Sequence, residues 1–91
     1  MEIRVVHALS TDELARRIRA EADRHDVGLT EREEGRRGEL VKDAGFLGTV
    51  RAEYAIEVRE LVVVVRERPA FLPEGSLRRT LEEALAKLVA P

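Results

Sequence analysis

The chain has 91 residues, 44% hydrophobic and 37% charged, with a formal net charge of −2. That length supports one domain over residues 1–91 with a single core, and the hydrophobic content excludes a disordered chain, which combines low hydrophobicity with high net charge. The near balance of acids and bases gives no general attraction to nucleic acid or to an anionic membrane, so only local patches remain open for such partners.

Cysteine is absent, which removes disulfides, thiolate nucleophiles and thiolate zinc sites. The opening "MEIRVV" runs straight into an alternating pattern and does not read as a signal peptide. No apolar run approaches the roughly 20 residues that span a bilayer. The expectation is a soluble, cytoplasmic protein with no membrane partner. Asn and Gln are also absent, and Arg outnumbers Lys 14 to 2. With abundant Glu this fits a thermophile that uses surface ion pairs; the Arg preference fits a GC-rich genome equally well.

Residues 2–8, "EIRVVHA", read as a strand with Ile3, Val5 and His7 on one face. In "LSTDELARRIRAEADRH", Ser10 is an N-cap and Glu13 completes a capping box, with Leu9 and Leu14 as a hydrophobic staple. Leu14, Ile18 and Ala22 then form an apolar stripe at helical spacing. The helix is expected to end near Asp26, ahead of Gly28. Residues 27–33 and 39–43 read as two short polar strands around the "EGRRG" turn, suited to a sheet edge. "AGFLG" is a further turn.

Residues 49–58, "TVRAEYAIEV", alternate strictly: Val50, Ala52, Tyr54, Ile56 and Val58 share one face, and Thr49, Arg51, Glu53, Ala55 and Glu57 the other. This is a strand with one buried and one wet face. A tight turn at or near Arg59 and Glu60 leads to "LVVVVRE", the next strand. Pro69 ends that ladder by removing a donor, and Phe71 and Leu72 plug the sheet end. Pro73 or Ser76 starts a second helix, "SLRRTLEEALAKLV", with Leu77, Leu81, Ala84, Leu85, Leu88 and Val89 on its apolar side. The expected fold is α+β in the order β-α-β-β-β-β-α, an antiparallel sheet with both helices on one face.

Four candidate features follow. The run "LVVVV" is apolar on both faces, and Val62 and Val64 lie on the face away from the helices. A second copy of the chain covers them in one reading, making a homodimer; in the other they serve β-propensity alone. Arg66 and Arg68 end that strand, while Arg78 and Arg79 sit in the first turn of the second helix. Together they make a candidate anion site beside unpaired helix amides, or they pair with Glu67, Glu74, Glu82 and Glu83 on a solvated surface. His7 and His25 would bind a metal only by converging with Asp12, Asp23 or Asp26. As isolated residues they read instead as a strand histidine and a helix C-terminal cation. Tyr54 reads as a core residue with a satisfied hydroxyl.

No phosphate-binding glycine loop or Gly-x-Ser-x-Gly is present, and both serines, Ser10 and Ser76, read as helix caps. No catalytic residue, metal or cofactor is expected. Arg16, Arg17, Arg36 and Arg37 lack interleaved aromatics, so nucleic acid is not an expected partner.

"IRVVHALSTDELARRI", "GFLGTVRAEYAIEV" and "SLRRTLEEALAKLV" resemble the small polyhydroxyalkanoate-system (granule-region) proteins. Gly45, Gly48 and Thr49 carry the most specific part of that resemblance, which implies no catalytic residue. The connector "RPAFLPEG" looks like the strand-to-helix link of helix-grip proteins, whose C-terminal helix encloses an apolar ligand over a curved sheet. The first functional expectation is a non-enzymatic domain acting through self-association or protein contacts. The alternative is a binder of a small apolar or lipid-like ligand between the sheet and the C-terminal helix. The third is an enzyme holding an anionic substrate with Arg66, Arg68 and Arg78.

Overall fold

The computed structural model describes residues 1–43 and 45–91. Five strands and two helices follow in the order β1 (Glu2–Val6), α1 (Thr11–Arg24), β2 (Gly28–Arg32), β3 (Arg37–Asp43), β4 (Thr49–Ile56), β5 (Glu60–Glu67) and α2 (Glu74–Leu88). This is the α+β order that the hydrophobic periodicity predicts. The strands form one antiparallel sheet in the order β1-β5-β4-β3-β2. Strands β2 to β5 are a meander, and β1 closes the far edge beside β5. Helix α1 therefore carries the chain from one edge of the sheet to the other.

Alternation decides which face is dry. Ala52, Tyr54 and Ile56 of β4 and Leu61, Val63 and Val65 of β5 are all buried. They meet Leu14, Ala15 and Ile18 of α1 and Leu77 of α2 in one cluster. Both helices thus cover the same face. Burying these side chains at about 25 cal/mol per Å² of apolar surface is the main term holding the fold.

Helix α1 is closed at both ends by local chemistry. Ser10 Oγ accepts from Glu13 N–H at 3.1 Å. The reciprocal half of the capping box does not form: the Glu13 carboxylate turns to Arg16 and Arg17 instead, and their hydrogen bonds hold it below the usual carboxylate range. At the other end Asp26 takes a left-handed φ of 54°. Val27 N–H then reaches Ala22 O at 2.8 Å and Asp26 N–H reaches Asp23 O at 3.3 Å, the paired bonds of a Schellman closure.

Helix α2 takes the earlier of its two expected starts. It begins at Glu74 with Pro73 as N-cap, and Ser76 lies inside the first turn, so Ser76 is not a cap. Pro73 holds φ at −62°, which lets Leu77 N–H bond Pro73 O at 3.1 Å without a capping side chain. Val58 also departs. It leaves the apolar face of β4 and sits 87% exposed in the turn, which Glu57 N–H closes onto Glu60 O. Two turn residues are needed between β4 and β5, and Val58 is one of them.

Candidate functional site

The face away from the helices carries Val62 and Val64. Across the strands Arg4, Val62, Ala55 and Arg37 stand in one row, and Glu2, Val64, Glu53 and Glu39 in the next. Glu53 directly opposes Glu39, a like-charge pair that costs stability unless neutralised. Arg66 meets Glu53 at 3.3 Å and Arg51 meets Glu39 at 3.0 Å. Arg4 meets Glu2 and Glu60 at 2.8 and 2.7 Å, and their hydrogen bonds raise its pKa further. Val62 and Val64 are half-buried beneath these arms, on the floor of a shallow hollow of about 330 Å³.

The other face holds an apolar crevice of about 260 Å³ between α1, α2 and the sheet. Its cause lies in how α2 is attached. Leu77 is buried near the start of α2 and Val89 at its end, and Arg17 of α1 donates to the carbonyl oxygens of Leu88 and Ala90 at 3.0 and 2.5 Å. Between these two anchors Leu81 and Leu85 are only half-buried and Ala84 is exposed. The helix is held at both ends and stands off the sheet in the middle. Leu40, Leu61 and Val63 form the floor, and Glu21 and His25 are the polar side chains at the rim. A second, polar hollow adjoins it, sharing Glu21 and His25 and adding Arg24, Thr80, Glu83 and Lys87.

Tyr54 is at the floor of this region. It is 4% exposed, and its hydroxyl is buried without a hydrogen-bond partner among the described residues. Its ring lies across Gly38, its cross-strand neighbour: a Cβ on Gly38 would stand 2.5 Å from Cζ and 2.6 Å from Cε1. Desolvation, with Glu31 nearby, pushes the phenol up to about 12, against a smaller opposing effect of Arg19. The expectation of a satisfied Tyr54 hydroxyl is thereby corrected, because the ring covers a glycine and reaches no acceptor. A glycine inside a strand marks a close approach, and Gly38 carried that signal in the sequence, where it reads as part of a turn.

The predicted arginine site is distributed. Arg66 is engaged with Glu53 on the open face. Arg68 donates to Leu72 O at 2.5 Å within the connector. Arg78 and Arg79 follow in α2, and among the described residues neither they nor Arg68 makes an ion pair with any carboxylate. Among the described residues no shared hydrogen-bond or ion-pair partner joins the four.

The histidines separate as well. His7 is buried, with Nε2 2.9 Å from Glu57 O and Nδ1 accepting from Leu9 N–H at 3.1 Å. A carbonyl needs a donor and an N–H needs an acceptor, so the ring is neutral with its proton on Nε2. It pins the end of β1 to the β4–β5 turn. His25 lies beyond the other end of α1 beside Glu21 at 3.3 Å. Among the described residues no three His, Cys, Asp or Glu side chains converge on a metal position, and no helix is long and apolar enough to cross a membrane. Comparison with family models, with curated proteins and with solved structures gives no match to this chain.

Proposed function

We propose that the protein is a non-enzymatic binding module for a small amphiphile, taken into the crevice between the sheet and α2. The observation that carries this reading is the crevice itself. It is walled by Leu40, Leu61, Val63, Leu81, Leu85 and Leu88 and stays open because α2 is anchored at its two ends. Ligand sites are concave and mostly apolar with a few polar groups for orientation. Here the rim supplies Glu21 and His25, and the adjoining hollow supplies Arg24 and Lys87. A volume of 260 Å³ equals roughly nine water molecules at about 30 Å³ each. That suits a short alkyl chain with a polar head at the rim, and not a long lipid.

The test is calorimetric titration with hexanoate, octanoate and 1-octanol. Each buried methylene contributes about 0.8 kcal/mol, so hexanoate to octanoate is expected to gain roughly tenfold in affinity. Ala84 is exposed on the crevice wall, so Ala84→Trp fills the opening without disturbing the core. It is expected to lower octanoate affinity at least tenfold while leaving the thermal midpoint unchanged. Absence of binding by the unmodified protein to any of the three at millimolar concentration ends this reading.

Self-association through Val62 and Val64 is the second reading. It rests on the apolar floor of Ala55, Val62 and Val64 set between Arg4, Arg37 and Glu53, a mixed-charge surround that can complement its own two-fold copy. The polypeptide mass is 10.3 kDa, and sedimentation equilibrium is expected to give twice that value. A strict monomer at micromolar concentration sinks the reading.

A further inference from the structure

Two turns meet at the end of the sheet opposite the His7 clasp. One is the β3–β4 turn containing Gly45–Leu47, and the other is the connector from Arg68 to Pro73. They are in contact: a Cβ on Gly48 would stand 3.1 Å from Pro69 Cγ, and Gly48 holds a φ of 112° that only glycine adopts easily. This contact brings together side chains distant in sequence. Phe46 is 98% exposed, Phe71 66% and Leu47 49%. The expectation that Phe71 plugs the sheet end is thus overturned; both phenylalanines of the chain point into solvent at the same end. Folding does not account for this, since a phenylalanine offers some 150–250 Å² for burial and the core uses neither.

The charges beside this end are also unusual. Several arginines elsewhere are matched by carboxylates, as with Arg4, Arg16, Arg19, Arg37, Arg51 and Arg66, while Arg32, Arg36 and Arg59 are, among the described residues, single unmatched residues on other parts of the surface. On the connector and the first two turns of α2, Arg68, Arg78 and Arg79 have no carboxylate within 4 Å among the described residues. The acids of that flank are Glu67, which meets Arg51 at 3.5 Å, and Glu74, Glu82 and Glu83 of α2, none of them paired with these three arginines among the described residues. On the opposite flank Lys42 donates to the carbonyl oxygens of His25 and Asp26, with Asp26 and Asp43 nearby. The arginines of this end that lack a carboxylate partner among the described residues therefore lie on its α2 side.

We infer that this end docks on an anionic lipid surface, with Phe46, Leu47 and Phe71 entering the acyl boundary and Arg68, Arg78 and Arg79 over the headgroups. Apolar side chains on projecting turns need a yielding partner, which a bilayer provides, and exposed patches of this kind mark interaction sites. Apolar insertion plus basic residues is the combination that holds peripheral proteins at interfaces. The net charge of −2 is spread over the whole chain, while the three arginines are grouped on one flank. The crevice proposal is independent of this one.

The experiment is co-sedimentation with vesicles of phosphatidylcholine alone and of equal parts phosphatidylcholine and phosphatidylglycerol. The protein is expected to pellet with the anionic vesicles and to be released by salt. Phe46→Ser with Phe71→Ser should reduce the partition coefficient at least tenfold. Arg78→Ala with Arg79→Ala should reduce it by about fivefold per arginine. All four positions are exposed or half-exposed, and an unchanged thermal melt confirms that the variants fold. Failure to pellet with anionic vesicles overturns the inference. So does equal pelleting with both vesicle types, or equal pelleting of the double phenylalanine variant. A double phenylalanine variant that lowers the solution mass from dimer to monomer, with no lipid dependence, overturns it in favour of a second copy of the chain.

Discussion

Gly38→Ala is expected to destabilise the protein by about 2–3 kcal/mol, although it adds one methyl group to a strand where alanine is ordinarily no worse than glycine. Gly38 is buried, and its backbone angle is not in the left-handed region, so the cost has one source. The new Cβ would stand 2.5 Å from Tyr54 Cζ, inside any real contact. Tyr54 cannot move away freely, because it is 4% exposed and belongs to the core cluster with Leu14, Ala15 and Ile18 of α1. For a domain of this size that loss lowers the thermal midpoint by roughly 10–20 °C. The partner change settles the cause. In a Tyr54→Leu background the ring is gone, and Gly38→Ala should then be neutral or slightly stabilising. The coupling read from the double-mutant cycle should approach 2 kcal/mol. Additive effects of the two substitutions refute the account.

The second large effect is a loss of stability in alkali traceable to one group. The Tyr54 phenol is raised from 10.0 to about 12, chiefly by burial. The unfolded chain therefore releases this proton at lower pH than the folded one. The stabilisation is fully present below pH 10 and is lost as pH climbs through 12. Two pKa units correspond to about 2.7 kcal/mol at 1.36 kcal/mol each, an upper figure for this site. The chain has a single tyrosine and no tryptophan, so absorbance at the phenolate band follows Tyr54 alone. A midpoint near 12 in the folded protein and near 10 in urea is expected. Stability by urea denaturation should be flat to pH 10 and then fall. Tyr54→Phe should abolish most of that fall. At neutral pH it should be neutral or stabilising by up to about 1 kcal/mol, since it removes a buried hydroxyl with no partner. A tyrosine that titrates near 10 in the folded state contradicts the burial argument.

The open face adds little of this kind. Its ion pairs join side chains that are 25% to 57% exposed, and exposed pairs contribute about 0–1 kcal/mol each. Their arms do shelter Val62 and Val64, which is why four consecutive valines sit in an exposed-face strand without a large bare patch. The valine run thus has an explanation within one chain, and the crevice becomes the more informative surface.

Much of the fold was legible in local pattern. Strict alternation from Thr49 to Ile56 fixed the two faces of β4, and the spacing of Leu14, Ile18 and Ala22 fixed the buried side of α1. Ser10 and the residues around Asp26 set the ends of α1 through bonds spanning at most five residues. Errors fell where one local preference competed with another. Val58 continues the β4 pattern but is consumed by the turn that Glu57 and Glu60 close. Ser76 is a good cap by composition, yet Pro73 starts α2 earlier.

The candidate sites were less legible, for a physical reason. Periodicity says which side of an element is apolar, not how closely two elements approach. The sequence alone determined the element order, the dry face of the sheet and the absence of any thiol. Tertiary structure decided that Tyr54 lies on Gly38, that Arg66 goes to Glu53 while Arg68, Arg78 and Arg79 meet no carboxylate among the described residues, and that α2 is pinned at Leu77 and Arg17 with a gap between. It also decided that Gly48 meets Pro69, which sets Phe46 and Phe71 at one end of the molecule. Each of these depends on distances between segments far apart in the chain, set by the packing of the whole and by no local pattern.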